Sequence, residues 1–249
     1  MKHKSTLKRG KRFRRHTRKK SAYGGMPTRL SASALPFTPA AAPMPEPEID
    51  PRVASAVAID CEMVGVKPGD TSALAHVAIV DINGTQIYNK YVIPRGGVGE
   101  ITHNRKKYSG INVRLLEEKQ ISGEALDFDI VKEQVHKILN GRVIVGHGLD
   151  NDFKVLEYDP RYNTVWDTAI IDKYMREPKY PEAPREAKKL QELAAEIGNN
   201  IQKIVKNANG KPLKKGHSPL EDARASMNLY RVAHFGIESK IPYHNMALA

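Results

Sequence analysis

The apolar positions of this 249-residue chain fall into short runs separated by turn residues. Ala54 to Asp60 is an apolar run with the length of a buried strand. Leu74 to Ile82 predicts a second strand and Gln86 to Val92 a third. Asn83-Gly84 between them is the strongest short signal for a hairpin. Ile130, Val131, Val135, Ile138 and Leu139 recur at helical spacing, which predicts a helix over 127–140 that stops at Gly141. A buried strand over 142–146 and a short helix over 151–158 follow. The stretch 165–174 should begin extended and turn helical, and 186–197 should be a helix ended by Gly198. The last helix has the clearest start. Ser218 caps it, Pro219 suits its first turn, and Glu221 completes a Ser-x-x-Glu capping box. It should run to about His234. A hairpin followed by alternating helices and strands predicts an α/β domain with a mixed sheet.

Composition divides the chain. Its net charge is +12, from 40 Lys/Arg against 28 Asp/Glu. Residues 1–30 hold 12 of the basic residues and no acid, so the rest of the chain is neutral, 28 against 28. A basic arm of this kind binds polyanions by counterion release and also reads as a nuclear or nucleolar address in a eukaryotic cell. Residues 27–51 hold seven of the 16 prolines among Ala and Ser, the composition of a disordered linker. The expected organisation is a basic tail (1–30), a Pro/Ala-rich linker (31–52), a catalytic domain (53–236) and a C-terminal tail (237–249). With one Cys there is no intramolecular disulfide, which fits a reducing compartment. No apolar run approaches the roughly 18 residues of a membrane span, and no secretory signal is visible.

The chemistry lies in acids that the core pattern does not explain. Asp60 and Glu62, in Val-Ala-Ile-Asp-Cys-Glu-Met, are two apart on a predicted strand and share a face, while Cys61 points the other way. Carboxylates ending an apolar strand are costly unless a cation compensates them or the strand runs into solvent. Asp152 and Asp150 open the short helix after Val-Gly-His, and position alone does not choose between them. An acid at a helix N-terminus is also favoured by the dipole alone. His217 precedes the last helix and Asp222 lies one turn inside it, on a face with Leu220, Ala223 and Met227. Capping accounts for Ser218 and Glu221 but not for these two. Hard divalent cations such as Mg²⁺ and Mn²⁺ take oxygen ligands, and a neutral histidine beside them suits a water nucleophile. The combination points to two-metal phosphoryl hydrolysis.

Seven segments strengthen that reading: Asp-Cys-Glu-Met-Val-Gly (60–65), Ser-Ala-Leu-Ala (72–75), Lys-Tyr-Val-Ile-Pro (90–94), Tyr-Ser-Gly-Ile (108–111), Val-Gly-His-x-x-x-Asn-Asp-Phe-Lys-Val-Leu (145–156), Asp-Thr (167–168) and His-Ser-x-x-Glu-Asp-Ala-Arg-Ala (217–225). In this order, over about residues 55–235, the chain resembles the DEDDh 3′–5′ exonucleases of the DnaQ-like group, in their RNA exonuclease 4-like branch. The resemblance implies a ribonuclease H-like mixed β-sheet flanked by helices. It implies that Asp60, Glu62, Asp152 and Asp222 hold two Mg²⁺ or Mn²⁺ ions and that His217 is the general base. Met63, Val64, His147 and Asn151, inside the same motifs, become candidate substrate contacts. Two departures stand out. Where the branch has Val-Thr-Asp-Tyr-Arg, this chain has Ile101-Thr102-His103-Asn104-Arg105. The short link between Ile-Gln and Gly-x-His is also much longer here, with five lysines and no acid over 203–215. Its Asn207–Pro212 stretch reads as a turn. Lys203, Lys206, Lys211, Lys214 and Lys215 are candidate phosphate contacts.

The expected activity is release of nucleoside 5′-monophosphates from the 3′ end of single-stranded RNA. The expected setting is the nucleus, with pre-ribosomal particles and ribosomal RNA processing as candidate context. One rival is a DNA exonuclease acting in repair. The other is a non-catalytic RNA-binding assembly factor, whose signature would be a lost ligand, and all five positions are intact.

Overall fold

The computed structural model describes residues 55–105, 109–202, 205–206, 212–213 and 216–241. The basic tail and the linker lie outside this range. A seven-stranded mixed sheet organises the domain, with strand order β5-β3-β2-β1-β6-β7 and β4 paired to β1. The strands are β1 (Val57–Val66), β2 (Thr71–Asp81), β3 (Gln86–Ile93), β4 (Ile101–His103), β5 (Ala125–Asp127), β6 (Ile144–Gly146) and β7 (Val165–Asp167). β1, β2 and β3 form an antiparallel meander, and β6 and β7 add in parallel. Asn83-Gly84 does turn the β2–β3 hairpin. Gly84 supplies a positive φ of 73°, and the Asp81 carboxylate accepts from the amides of Asn83 and Thr85.

Among the described residues, five α-helices pack around the sheet: α1 (Val113–Ile121), α2 (Phe128–Leu139), α3 (Asp150–Leu156), α4 (Leu190–Glu196) and α5 (Pro219–Phe235). Side-chain alternation on β1 decides what each face meets. Val57, Ile59 and Cys61 pack with Phe128, Val131, Val135 and Leu139 of α2 and with Phe153 and Leu156 of α3. On the opposite face Ala56 and Ala58 pack with Ala223, Met227 and Tyr230 of α5. The small residues on both partners let α5 approach β1 closely, which brings the start of α5 to the strand that carries the acids. Arg224 Nε ties the same helix to the Gly84 carbonyl at 3.0 Å, and α4 packs outside it through Leu193, Ala194, Ala225 and Leu229.

Two elements have bounds that differ from the sequence pattern. β1 does not stop at Asp60 but continues six residues, pairing Glu62 with His76 and Val66 with Thr71. The acids therefore stand within a strand, not where a strand enters solvent. The helix expected over 186–197 begins only at Leu190. Ala187 instead bridges Met175, and the Arg176 amide donates to the Glu186 carbonyl at 2.8 Å. α1, β4 and β5 were not legible in the pattern. Beyond α5, residues 237–241 stay fastened to the domain. Asn228 exchanges hydrogen bonds with the Ile241 backbone, and Lys240 Nζ donates to the Ile197 carbonyl. No helix among the described residues is long and apolar enough to cross a membrane.

Candidate active site

β6 pairs with β1 only at Val57 and Ala58. Past that point the β1 edge is free of β6, and the chain leaving β6 turns into α3. A crevice at the carboxyl ends of parallel strands is where α/β sheets place their ligands. The turn is fixed by Asp167 at the end of β7. Its buried carboxylate accepts from the amides of Gly148, Leu149 and Ala169, each at 2.8 Å. Gly146 is required by packing, since a Cβ there would meet Leu149 Cδ2 at 2.3 Å. This anchoring sets the start of α3, and the helix separates its two acids. Asp150 is exposed, whereas Asp152 is buried against β1. The Cys61 thiol and amide lie beside the Asp152 carboxylate and favour its charged form.

Glu62, His217 and Asp222 bring ligand atoms within 4.8 Å of one another. Asp60 is close enough to feel Asp222, Asp152 and Glu62. Asp60 on β1 and Asp152 on α3 stand outside that tight group but within electrostatic reach of it, so four carboxylates and one histidine share one region. Burial is the main cause of their altered acidity, and mutual repulsion adds to it at Asp60 and Glu62. Asp60 is pushed well above the usual carboxylate range, Glu62 up to about 8, and Asp152 and Asp222 up to about 7. With an unfolded value near 4.5, Glu62 alone costs about 3 kcal/mol of stability at pH 7 if nothing compensates it. Asp152 Oδ1 is buried without a hydrogen-bond partner. An orphaned carboxylate oxygen inside an all-carboxylate donor set fits a hard divalent cation.

The sign of this linkage gives a prediction. These groups bind protons more tightly folded than unfolded, so without divalent cations stability should fall as pH rises from about 4 to about 8. Added Mg²⁺ or Mn²⁺ should raise the melting temperature much more at pH 8 than at pH 5. Thermal denaturation in chelator and in metal checks this. An equal metal effect at both pH values would contradict it.

His217 is 44% exposed in its side chain, and its Nδ1 lies 3.7 Å from Asp222 Oδ2. Burial holds the imidazole below the usual histidine range, so it is neutral and basic at pH 7. Its loop is seated by glycine on glycine. A Cβ on Gly216 would lie 2.2 Å from the Gly110 nitrogen, which gives the Ser-Gly-Ile segment a role in placing His217. Ser218 caps α5 and accepts from the Glu221 amide.

Of the candidate substrate contacts, Met63 and Asn151 line a cleft of about 400 Å³ with Ser72, Arg105 and Lys154. Arg105 is held there by Ser72 Oγ at 2.7 Å and by the Asp70 carbonyl at 3.2 Å. His147 is half-buried and bonds Thr168 Oγ1 through Nδ1 at 2.7 Å. The Thr168 hydroxyl also reaches the Gly146 carbonyl. With that hydrogen used, Nδ1 is the donor and Nε2 is left as an acceptor. Val64 must be corrected. Its side chain is fully buried among Ala75, Ile93, Ile111 and Leu116, so only its backbone is available to a ligand. Where the branch has an acid and an aromatic, His103 pairs with Gly65 in the sheet and Asn104 Oδ1 accepts from the Val113 amide at the start of α1. Lys203, Lys211, Lys214 and Lys215 lie outside the described residues. The backbone of Lys206 pairs with Pro212, and Val205 pairs with Leu213, in a short antiparallel ladder around the expected turn.

The exonuclease family model RNase_T matches residues 57–230, the stretch that builds the sheet, the crevice and α5. The chain is a member of this exonuclease family. Human interferon-stimulated 20 kDa exonuclease-like 2 is 37% identical over 177 residues, 71% of this chain and 45% of that protein. RNA exonuclease 4 of Gibberella zeae is 38% identical over 177 residues, 70% of this chain and 48% of that protein. The chain thus spans about half the length of these relatives. Among solved structures, the Saccharomyces cerevisiae Pan2 pseudoubiquitin hydrolase–RNA exonuclease module in complex with AAGGA RNA superposes with a TM-score of 0.56. That match is 25% identical and covers 79% of this chain and 31% of the other. The resemblance to the RNA exonuclease 4-like branch and the ribonuclease H-like fold are both borne out. One residue beside the site, Gln202, was not singled out by the sequence pattern, although it contacts Asp222 and His217. It follows α4 by six residues, carries no charge, and is separated in sequence from the groups it meets.

Proposed function

We propose that this exonuclease is a DEDDh enzyme that hydrolyses single-stranded RNA from its 3′ end with two Mg²⁺ or Mn²⁺ ions. The observation that carries the reading is the convergence of Asp60, Glu62, Asp152 and Asp222, with a buried unpartnered oxygen on Asp152, beside His217. The four carboxylates are the ligands. Bound there, divalent cations supply a more acidic water and neutralise charge on the departing 3′-oxygen. His217 accepts the proton of the attacking water, in the neutral form that burial favours. The cleft beside Met63 and Asn151 receives the terminal nucleotide, and Arg105 and Lys154 face its phosphate with positive charge. Relatives named RNA exonuclease 4 and a Pan2 module with bound RNA favour RNA over DNA. The basic arm of residues 1–30 suits delivery to nuclear or nucleolar RNA such as pre-ribosomal particles. Matched RNA and DNA oligomers of one sequence, digested in Mg²⁺ and in Mn²⁺, test the substrate class. RNA should be degraded faster, and a preference for DNA would move the enzyme to the repair reading.

Lys211, Lys214 and Lys215 precede His217 directly in the chain and are assigned to the phosphates of the incoming strand. Changing all three to Gln should raise the Michaelis constant on long RNA. It should also reduce the slope of log affinity against log salt by about 2, near 0.7 per phosphate. Dinucleotide turnover should stay near wild type. An unchanged slope would remove these lysines from the interface.

A further inference from the structure

We propose that Gln202 is a positioning residue that holds Asp222 and the His217 ring in register. The proposal rests on the nuclease reading above. Gln202 adopts a left-handed backbone, φ 53°, which a residue with a side chain seldom takes. Two contacts hold it there. Its amide donates to Glu221 Oε2 at 3.1 Å, so the N3 glutamate of α5 is used to fasten a residue outside the helix. Its carboxamide Nε2 donates to both oxygens of Asp222, at 3.1 and 3.0 Å. The same nitrogen lies 3.4 Å from His217 Nδ1. One side chain therefore touches a candidate ligand and the candidate base, and a charged neighbour of both fixes its backbone. Unusual backbone at a site is maintained only where surrounding contacts determine it, and that is the arrangement here.

The chemistry suits positioning and not catalysis. A carboxamide neither takes up nor releases a proton at neutral pH. Its NH₂ group can only donate to an ionised carboxylate, which has about four acceptor sites and keeps some for a cation. Asp222 is reached from two sides. α5 sets its backbone, since its amide bonds the Ser218 carbonyl at 2.9 Å, and Gln202 sets the rotation of its carboxylate. Partners of this kind behind a metal ligand typically contribute about 10–100-fold in metal affinity or activity.

Two variants separate hydrogen bonding from packing. Gln202→Gly removes the side chain and takes the left-handed backbone freely. Gln202→Met keeps length and size but has no donor. In both, turnover of a single-stranded RNA oligomer should fall about 10–100-fold. The Michaelis constant should stay within about twofold, because Gln202 does not line the cleft. Mn²⁺ affinity, measured by calorimetry without RNA, should weaken about 10-fold. Wild-type turnover and Mn²⁺ affinity in Gln202→Met would reduce the residue to a packing element and overturn the proposal. So would wild-type values in Gln202→Gly. If the wild-type protein itself shows no divalent-dependent hydrolysis, the nuclease reading fails instead, and the two failures stay distinct.

Discussion

Asp152→Asn is expected to lower RNA hydrolysis by about 10³-fold or more, while Asp150→Asn keeps turnover within about threefold. Replacing a charged oxygen by an amide removes a hard-cation ligand, and metal assistance supplies several kcal/mol at about 1.4 kcal/mol per decade of rate. The two acids are two residues apart on one short helix and differ in surroundings. Asp152 is buried beside Cys61 with one oxygen unpartnered, whereas Asp150 is exposed. Asparagine is nearly isosteric, and it relieves a buried charge, so Asp152→Asn should melt at or above the wild-type temperature in chelator. Steady-state rates with melting curves on both variants check this. Equal losses in the two, with folding intact, would show that the wrong acid has been assigned.

His217→Ala is expected to cut turnover by about 10²–10⁴-fold, the usual contribution of a general base. RNA affinity should change little, because the ring reaches the site from the loop before α5 and stands outside the cleft. Burial lowers the imidazole below the ordinary value of 6.5. The basic form therefore dominates at neutral pH, and at saturating metal, which keeps the carboxylates ionised, wild-type turnover should fall as pH drops below that value. The variant should lose this acid limb as well as the rate. A rate within fivefold of wild type at pH 7 would mean that another group takes the proton.

The sequence was most readable where one period dominated. α2 and α5 carried long apolar spacing with identifiable stops, and the structure bounds them within about one residue of expectation. The start of β1 was legible, but its length was not. Asp60 and Glu62 interrupt the apolar run, and only pairing with β2 as far as Val66 shows that the strand carries them through. α1 escaped notice because Leu116 is its single buried residue, too little for a periodic face. β4 and β5 are three residues each, shorter than any period can reveal. Asp150 and Asp152 could not be separated by position, since both suit a helix start. Burial separates them, and burial depends on Asp167 tying down a loop from 15 or more residues away. Gln202 illustrates the limit most clearly. Its contacts reach 15 to 20 residues along the chain and need a backbone conformation that its residue type does not announce.

The most direct measurement is product analysis on a 5′-labelled single-stranded RNA, in Mn²⁺, in Mg²⁺ and in chelator. Labelled strands should shorten one nucleotide at a time from the 3′ end, and unlabelled nucleoside 5′-monophosphates should accumulate only with divalent metal. Release of the label as a mononucleotide before the strands have shortened, internal cleavage fragments, or undiminished hydrolysis in chelator would contradict a two-metal 3′–5′ exonuclease built on Asp60, Glu62, Asp152, Asp222 and His217.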